Sequence, residues 1–184
     1  MNTLNWELAL SKLKEGNKRF VQQELINSNH TSTELKMFSE GQYPFAIVIA
    51  CSDSRVSPDI IFDTKLGELF IIQNAGNIVD ETVLGSIEYA VSELGCSIVV
   101  VMGHNSCGAI SATFNHSTPT GNLKSIINYI DEYLVDCQST EDLCKMNIVG
   151  GAKLINNNTI VKKHNVKVFE VCYQIDTGLI YWLD

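Results

Sequence analysis

In LFIIQNAGNIVDETVLGSIEYAVSELGCSIVVVMGHNSCG, residues 69–108, two apolar runs flank a segment with helical periodicity. The runs at 69 to 72 and 97 to 102 are apolar without alternation, as strands need to be when helices cover both faces of their sheet. Between them Val83, Leu84, Ile87, Ala90, Val91 and Leu94 recur at the spacing of one helix face,. Gly95 follows, a residue suited to the left-handed turn that ends a helix. Strand, helix and strand in that order make a βαβ unit, which sets the two strands parallel.

Two more runs extend this pattern, at 45 to 50 upstream and 166 to 173 downstream. Asp176, Thr177 and Gly178 read as a turn into a short last strand ending at Trp182,. Further helices are expected over 6 to 21, 123 to 135 and 140 to 163. In the first, Trp6, Leu10, Leu13 and Phe20 share one face, a stripe that must be buried on this domain or on a partner subunit,. The expected fold is α/β: a mostly parallel central sheet of four parallel strands and a short antiparallel C-terminal strand, flanked by helices. No linker or repeat divides the chain. It reads as a single domain over 1–184, with an N-terminal helical arm over 1–25 and an α/β core over 44–184.

The chain has 184 residues, 45% of them hydrophobic, which is enough for one real core,. Its net charge of −8 and lack of Lys/Arg clusters argue against nucleic-acid and anionic-membrane surfaces,. The N-terminal stretch has no basic region followed by an apolar one, and no apolar run is long enough to span a bilayer, so a cytoplasmic location is expected. Six dispersed cysteines do not form a disulfide scaffold, and they should be free thiols or metal ligands,.

The two strongest strands end on reactive residues. Cys51 follows the run at 45 to 50 in Ala-Cys-Ser-Asp-Ser-Arg, and His104 follows the run at 97 to 102 in Gly-His-Asn-Ser-Cys-Gly. Ligands bind outside the carboxyl ends of strands in an open parallel sheet, so these two remote segments can meet there. His104 and Cys107 could turn an imidazole and a thiolate toward one ion, with Cys51 adding a second thiolate. Three such ligands with a fourth position left for water is the pattern of catalytic zinc, whereas structural zinc takes four. His-x-x-Cys alone also fits a turn holding a core cysteine. Cys51-x-Asp53-x-Arg55 shifts the balance, because it sets a ligand beside a carboxylate and a cation able to hold that carboxylate with two hydrogen bonds.

At these residues the sequence resembles the β-class carbonic anhydrases. The resemblance runs through Cys51-Ser52-Asp53-Ser54-Arg55, Gly67-Glu68-Leu69-Phe70, Asn74-Ala75-Gly76-Asn77, Ser86-Ile87-Glu88-Tyr89-Ala90, and Gly103-His104 to Cys107-Gly108. It is dense over about residues 40 to 110 and looser elsewhere. It implies one Zn²⁺ per subunit on Cys51, His104 and Cys107, reversible hydration of carbon dioxide to bicarbonate, and a homodimer or dimer of dimers whose N-terminal arm embraces the partner. It further implies that Asp53 orients the nucleophile while Arg55 pins Asp53. Gln42, Phe70 and Tyr89 match pocket positions, and the Gly108 N–H could assist an anionic product. Some relatives close the site by moving the aspartate onto zinc and carry a tryptophan and an arginine where this chain has Val48 and Gln73. Asp53 is therefore expected on Arg55.

Two other functions share these residues. Carbonyl sulfide or carbon disulfide hydrolysis uses the same fold and zinc site, and a non-catalytic zinc-binding or redox-responsive protein would need only the ligands. His30, His116 and His164 lie in polar stretches and are expected in solvent, while Cys96, Cys137, Cys144 and Cys172 are expected as small buried side chains,.

Overall fold

A computed structural model describes residues 4–27 and 31–183. The strands are β1 (Ala46–Cys51), β2 (Leu69–Asn74), β3 (Ile98–His104), β4 (Lys167–Tyr173) and β5 (Ile180–Leu183). They form one sheet in the order β2-β1-β3-β4-β5, the first four parallel and β5 antiparallel to β4, as the sequence predicts. The helices are α1 (Trp6–Gln22), α2 (Ser32–Phe38), α3 (Pro58–Ile61), α4 (Glu81–Ser92), α5 (Gly108–Phe114), α6 (Leu123–Asp131), α7 (Thr140–Asn157) and α8 (Thr159–Lys163). No helix among the described residues is long and apolar enough to cross a membrane.

Every residue of β1 and β3 is buried, which explains their unbroken apolar runs. Successive strand residues face opposite sides. Ile47, Ile49, Val99 and Val101 therefore join the core with Ile87 of α4, Ile110 of α5 and Ile148 of α7. Ala46, Val48, Ala50, Ile98, Val100 and Met102 join the other core with Leu13 of α1 and Ile61 of α3. The chain leaves β1 toward the second core and β3 toward the first. The strand order reverses between these neighbours, so a crevice opens beyond Cys51 and His104,.

The stripe on α1 is covered in part by its own chain, with Leu13 buried and Trp6, Leu10 and Phe20 half-buried. Ala9, Leu13, Gly16 and Asn17 are buried, and Trp6 packs on Phe169 with ring centroids 6.3 Å apart. Gly16 touches backbone, since a Cβ there would stand 1.7 Å from the Phe62 carbonyl oxygen. Asn17 donates to the Ile61 and Gly178 carbonyls at 3.3 and 2.8 Å and accepts from the Ile180 N–H at 3.2 Å, fastening the helix to the β4–β5 hairpin.

Three local features depart from the expected elements. The segment 140 to 163 is two helices, broken at Asn158, whose side chain leaves the helical pattern to cap Ile160 N–H at 2.9 Å and to donate to Glu88 at 2.7 Å,. The helix expected over 123 to 135 stops at Asp131, and Asp136 turns left-handed with φ 63°. Helices α2 and α3 are too short for a periodic pattern. Yet Thr31 and Glu34 form a reciprocal cap before α2: the Glu34 carboxylate takes the Thr31 N–H at 2.9 Å, and Thr31 Oγ1 takes the Glu34 N–H at 3.2 Å,.

Asp63 anchors the chain that leaves α1. Its carboxylate accepts from Arg19 Nε at 2.5 Å and from the N–H groups of Ile26 and Asn27 at 3.2 and 3.0 Å, and its side chain is 1% exposed. Burial opposes its charge, but these donors outweigh burial and lower its pKa. A carboxylate lowered on folding stabilises the protein above its unfolded pKa of about 3.9, and that contribution is lost as pH falls through the folded value. Asp63→Ala is expected to cost about 3 kcal/mol, because the guanidinium and two N–H groups lose their acceptor. Urea unfolding at pH 7 and pH 3 checks this: the gap between wild type and variant should narrow at the lower pH.

Candidate metal centre

Cys51 is the last residue of β1, His104 the last of β3, and Cys107 caps α5 three residues further on. Ser106, in the left-handed region at φ 55°, makes the turn that brings Cys107 back beside His104. One ligand atom from each of the three residues lies within 4.8 Å of the others, and the two sulfurs are 3.9 Å apart. All three residues are buried.

The state of the imidazole follows from its partners. His104 Nδ1 lies 2.8 Å from the Asn105 carbonyl, which can only accept, so Nδ1 carries the proton,. Nε2 is then left with its lone pair, buried and without a hydrogen-bond partner. An orphaned acceptor beside two thiols is costly in a protein interior unless a cation takes it. Asn105 is itself held, its Oδ1 accepting from the Ile175 N–H at 2.9 Å and its N–H donating to the Tyr173 carbonyl at 3.1 Å.

The two sulfurs titrate unequally, with Cys51 the one biased toward the thiolate. Cys51 is pulled down to about 4 by the Cys107 thiol, with help from His104 and the Gly76 N–H and against burial. Cys107 is pushed up by the Cys51 sulfur and by burial. Burial disfavours charge on His104, but the Cys51 sulfur, the Asn105 carbonyl and Asp53 outweigh it and raise its pKa. Two sulfurs and one imidazole nitrogen, arranged with no other partner for Nε2, fit Zn²⁺.

Asp53 sits beside this cluster on the loop after β1. Its Oδ1 accepts from the Arg55 N–H at 3.0 Å and from Nε at 2.9 Å, and its Oδ2 accepts from Nη2 at 2.7 Å. The guanidinium holds the Asp53 carboxyl well below the usual carboxylate range. Arg55 Nη2 also reaches the Ser106 carbonyl at 3.4 Å, linking this loop to the His104–Cys107 turn. In this structure the aspartate is on Arg55.

The remaining expected site residues lie apart from the cluster within one chain. Phe70 pairs with Ile47, four residues before Asn74, the partner of Cys51, which is about 13 Å along the strand,. Its ring packs on Tyr89, centroids 6.1 Å apart, and Tyr89 and Gln42 are exposed. None of the three lines the cavity of about 280 Å³ beside His104 and Cys107, whose walls include Glu141, Cys144, Lys145 and Cys172. Gly108 opens α5 with empty space where a Cβ would be. His116 and His164 are exposed, and His30 lies outside the described residues. Cys96 and Cys144 are buried and Cys137 and Cys172 half-buried, all four as free thiols.

Residues the motif reading did not assign support the ligands. Gly76, left-handed at φ 76°, donates its N–H to Cys51 Sγ at 3.4 Å, and Asn147 Nδ2 holds the Gly76 carbonyl at 2.9 Å. A Cβ on Gly76 would meet Ile130 at 2.9 Å and Ala109 at 3.1 Å, so glycine is needed for both conformation and space,.

Fold and cluster together define a class: an α/β protein with a Cys-His-Cys site at the switch point of its sheet. The carbonic anhydrase family pattern matches residues 46–180. Carbonic anhydrase 2 of Mycobacterium tuberculosis is 40% identical over 134 residues, 71% of this chain and 65% of that protein. The β-carbonic anhydrase CafA of Aspergillus fumigatus superimposes with a TM-score of 0.76 at 24% identity, covering 97% of this chain and 90% of that one. A structure from a study of two tetrameric β-carbonic anhydrases of Sordaria macrospora gives 0.73 at 24% identity, covering 97% and 96%. At those identities the two structures bear on the fold alone. This chain belongs to the β-class carbonic anhydrase family, and it spans 65% of the length of its mycobacterial relative.

Proposed function

We propose that the protein is a zinc-dependent carbonic anhydrase, converting carbon dioxide and water to bicarbonate and a proton, with one zinc per chain on Cys51, His104 and Cys107. The observation that carries this is the meeting of those three ligand atoms within 4.8 Å of one another, with a carboxylate pinned by Arg55 on the adjoining loop. Zinc, when bound, supplies a site at which water loses a proton near neutral pH and becomes the nucleophile, less readily with two thiolates than with an all-histidine donor set.

The protein's own groups orient the attack. An ionised carboxylate has about four acceptor positions, and Arg55 fills three of those on Asp53,. The one left, on Oδ2, accepts a hydrogen bond from the nucleophile, whose other proton has gone to solvent, and turns its lone pair toward the carbon of carbon dioxide. A C–O bond then forms, and the electron pair of one C=O π bond moves onto oxygen, giving bicarbonate. Asp53 stays ionised because its carboxyl is held so low, so its titration does not shape the working pH range.

A dimer, or a dimer of dimers, completes the proposal, in the cytoplasm. Gln42 and Tyr89 are exposed and Phe70 lies on the edge strand β2, so in their own chain they stand away from the metal cluster. Their pocket role requires the site of a second copy, and the Sordaria relatives are tetramers.

Stopped-flow hydration with a pH indicator tests the function, run on zinc-loaded protein with carbonyl sulfide in parallel and a chelator control. Carbon dioxide turnover well above buffer, rising from neutral to mildly alkaline pH and abolished by the chelator, is expected. A rate equal to buffer, or turnover of carbonyl sulfide alone, would overturn the proposal.

A further inference from the structure

Gln73 sits in β2 opposite Ala50, one pair before Cys51. Its Nε2 donates to the Cys51 carbonyl at 3.0 Å and to the Val56 carbonyl at 3.1 Å. Those carbonyls mark the two ends of the loop that carries Asp53 and Arg55, and one side-chain amide uses both its hydrogens to join them.

The loop has few other hydrogen bonds to the sheet, and its far end is also held by Val56, buried in the second core. The Ser52 N–H continues the β1–β2 ladder to the Asn74 carbonyl at 2.9 Å. The Val56 N–H to Asp53 carbonyl bond at 2.8 Å and the bonds between Asp53 and Arg55 are internal to the loop. The Arg55 contact to Ser106 is long at 3.4 Å. The internal bonds shape the Asp53–Arg55 unit, and the Asp53 N–H pointing at Cys51 Sγ ties its near end. Gln73 joins the two ends, bridging the point where the loop leaves the strand to the point where it turns into α3.

We propose that Gln73 is a positioning residue for Asp53, clamping the loop so that the free lone pair on Oδ2 faces the metal cluster. This rests on the carbonic anhydrase reading for its effect on catalysis, though not for its effect on the loop. A neutral amide is suited to the task, since it supplies two donors to neutral carbonyls without adding a second cation to compete with Arg55 for Asp53.

The test compares Gln73→Ala, Gln73→Glu and Gln73→Arg with wild type, alone and with Asp53→Ala, measuring bound zinc, kcat/KM and hydrogen exchange of residues 52–56. Alanine removes the donors, glutamate keeps the shape while aiming oxygens at the two carbonyls, and arginine restores donors. Alanine and glutamate should speed exchange of the loop amides and lower kcat/KM about tenfold with zinc content unchanged, the scale of one well-placed hydrogen-bonding group. Arginine should restore slow exchange. In the Asp53→Ala background Gln73→Ala should lower kcat/KM no further, whereas a role in general stability would multiply with it. Unchanged exchange, loss of zinc, or a full additional loss on Asp53→Ala would each overturn the proposal. Should wild type itself prove inactive, the functional reading fails by its own control and loop exchange still decides the role of Gln73.

Discussion

Cys51→Ala and His104→Ala are each expected to release zinc and to reduce carbon dioxide hydration to the buffer rate, more than a thousandfold below wild type. Each variant leaves two protein ligands, and a two-ligand site holds zinc too weakly to survive dialysis. For His104 the argument has a second part. Its Nδ1–H is committed to the Asn105 carbonyl, so Nε2 is the ring atom left to bind metal, and among the described residues no second histidine joins the cluster. For Cys51, the Gly76 N–H aimed at its sulfur loses its acceptor as well. Metal analysis after dialysis against a mild chelator, alongside stopped-flow rates, checks the pairing of the two losses. Thermal unfolding separates loss of metal from loss of fold: zinc should raise Tm for wild type and leave it unmoved for both variants, since a ligand stabilises only the state that binds it. A variant that kept stoichiometric zinc while losing activity would remove that residue from the ligand set.

How much of this could be read from the chain depends on the range of each interaction. β1 and β3 were legible because burial on both faces leaves an unbroken apolar run, and the metal ligands because Cys51 and His104 close such runs and Cys107 follows three residues after His104. Their meeting follows from topology: parallel neighbours at a switch point bring their carboxyl ends together whatever their separation in sequence,. Asp53 and Arg55 were legible because their bonds are local. Gln73, Asn147 and Asn105 were not, because a side chain donating to a distant carbonyl leaves no periodic trace. The break at Asn158 was missed for a different reason: three asparagines at 156 to 158 compete with the helix through their side chains, a signal that apolar periodicity across 140 to 163 overrides,. Motif matching identified Gln42, Phe70 and Tyr89 as residue types but said nothing of which chain's metal they would face.

Asp53→Ala should separate what the cysteine and histidine variants lose together. None of the three ligand atoms belongs to Asp53, so zinc content and the zinc-dependent rise in Tm should match wild type. Turnover should nevertheless fall by about 10² to 10³, the scale of losing a preorganised hydrogen-bonding group at the reacting centre. Asp53→Asn is the sharper version. It keeps the shape but replaces an oxygen with an NH₂, which must point either at Arg55, where donors already converge, or at the nucleophile, where an acceptor is needed. One orientation breaks the Arg55 clamp at Oδ1 and the other loses the bond to the nucleophile, so Asn should be nearly as poor as Ala. Arg55→Lys should fall between them and wild type: an ammonium keeps the charge but cannot span Oδ1 and Oδ2 as Nε and Nη2 do at 2.9 and 2.7 Å,. Zinc content and kcat/KM on the same preparations measure this series. Full activity in Asp53→Ala would mean that the metal and its three ligands suffice, and that the carboxylate with its bidentate partner serves only to shape the loop.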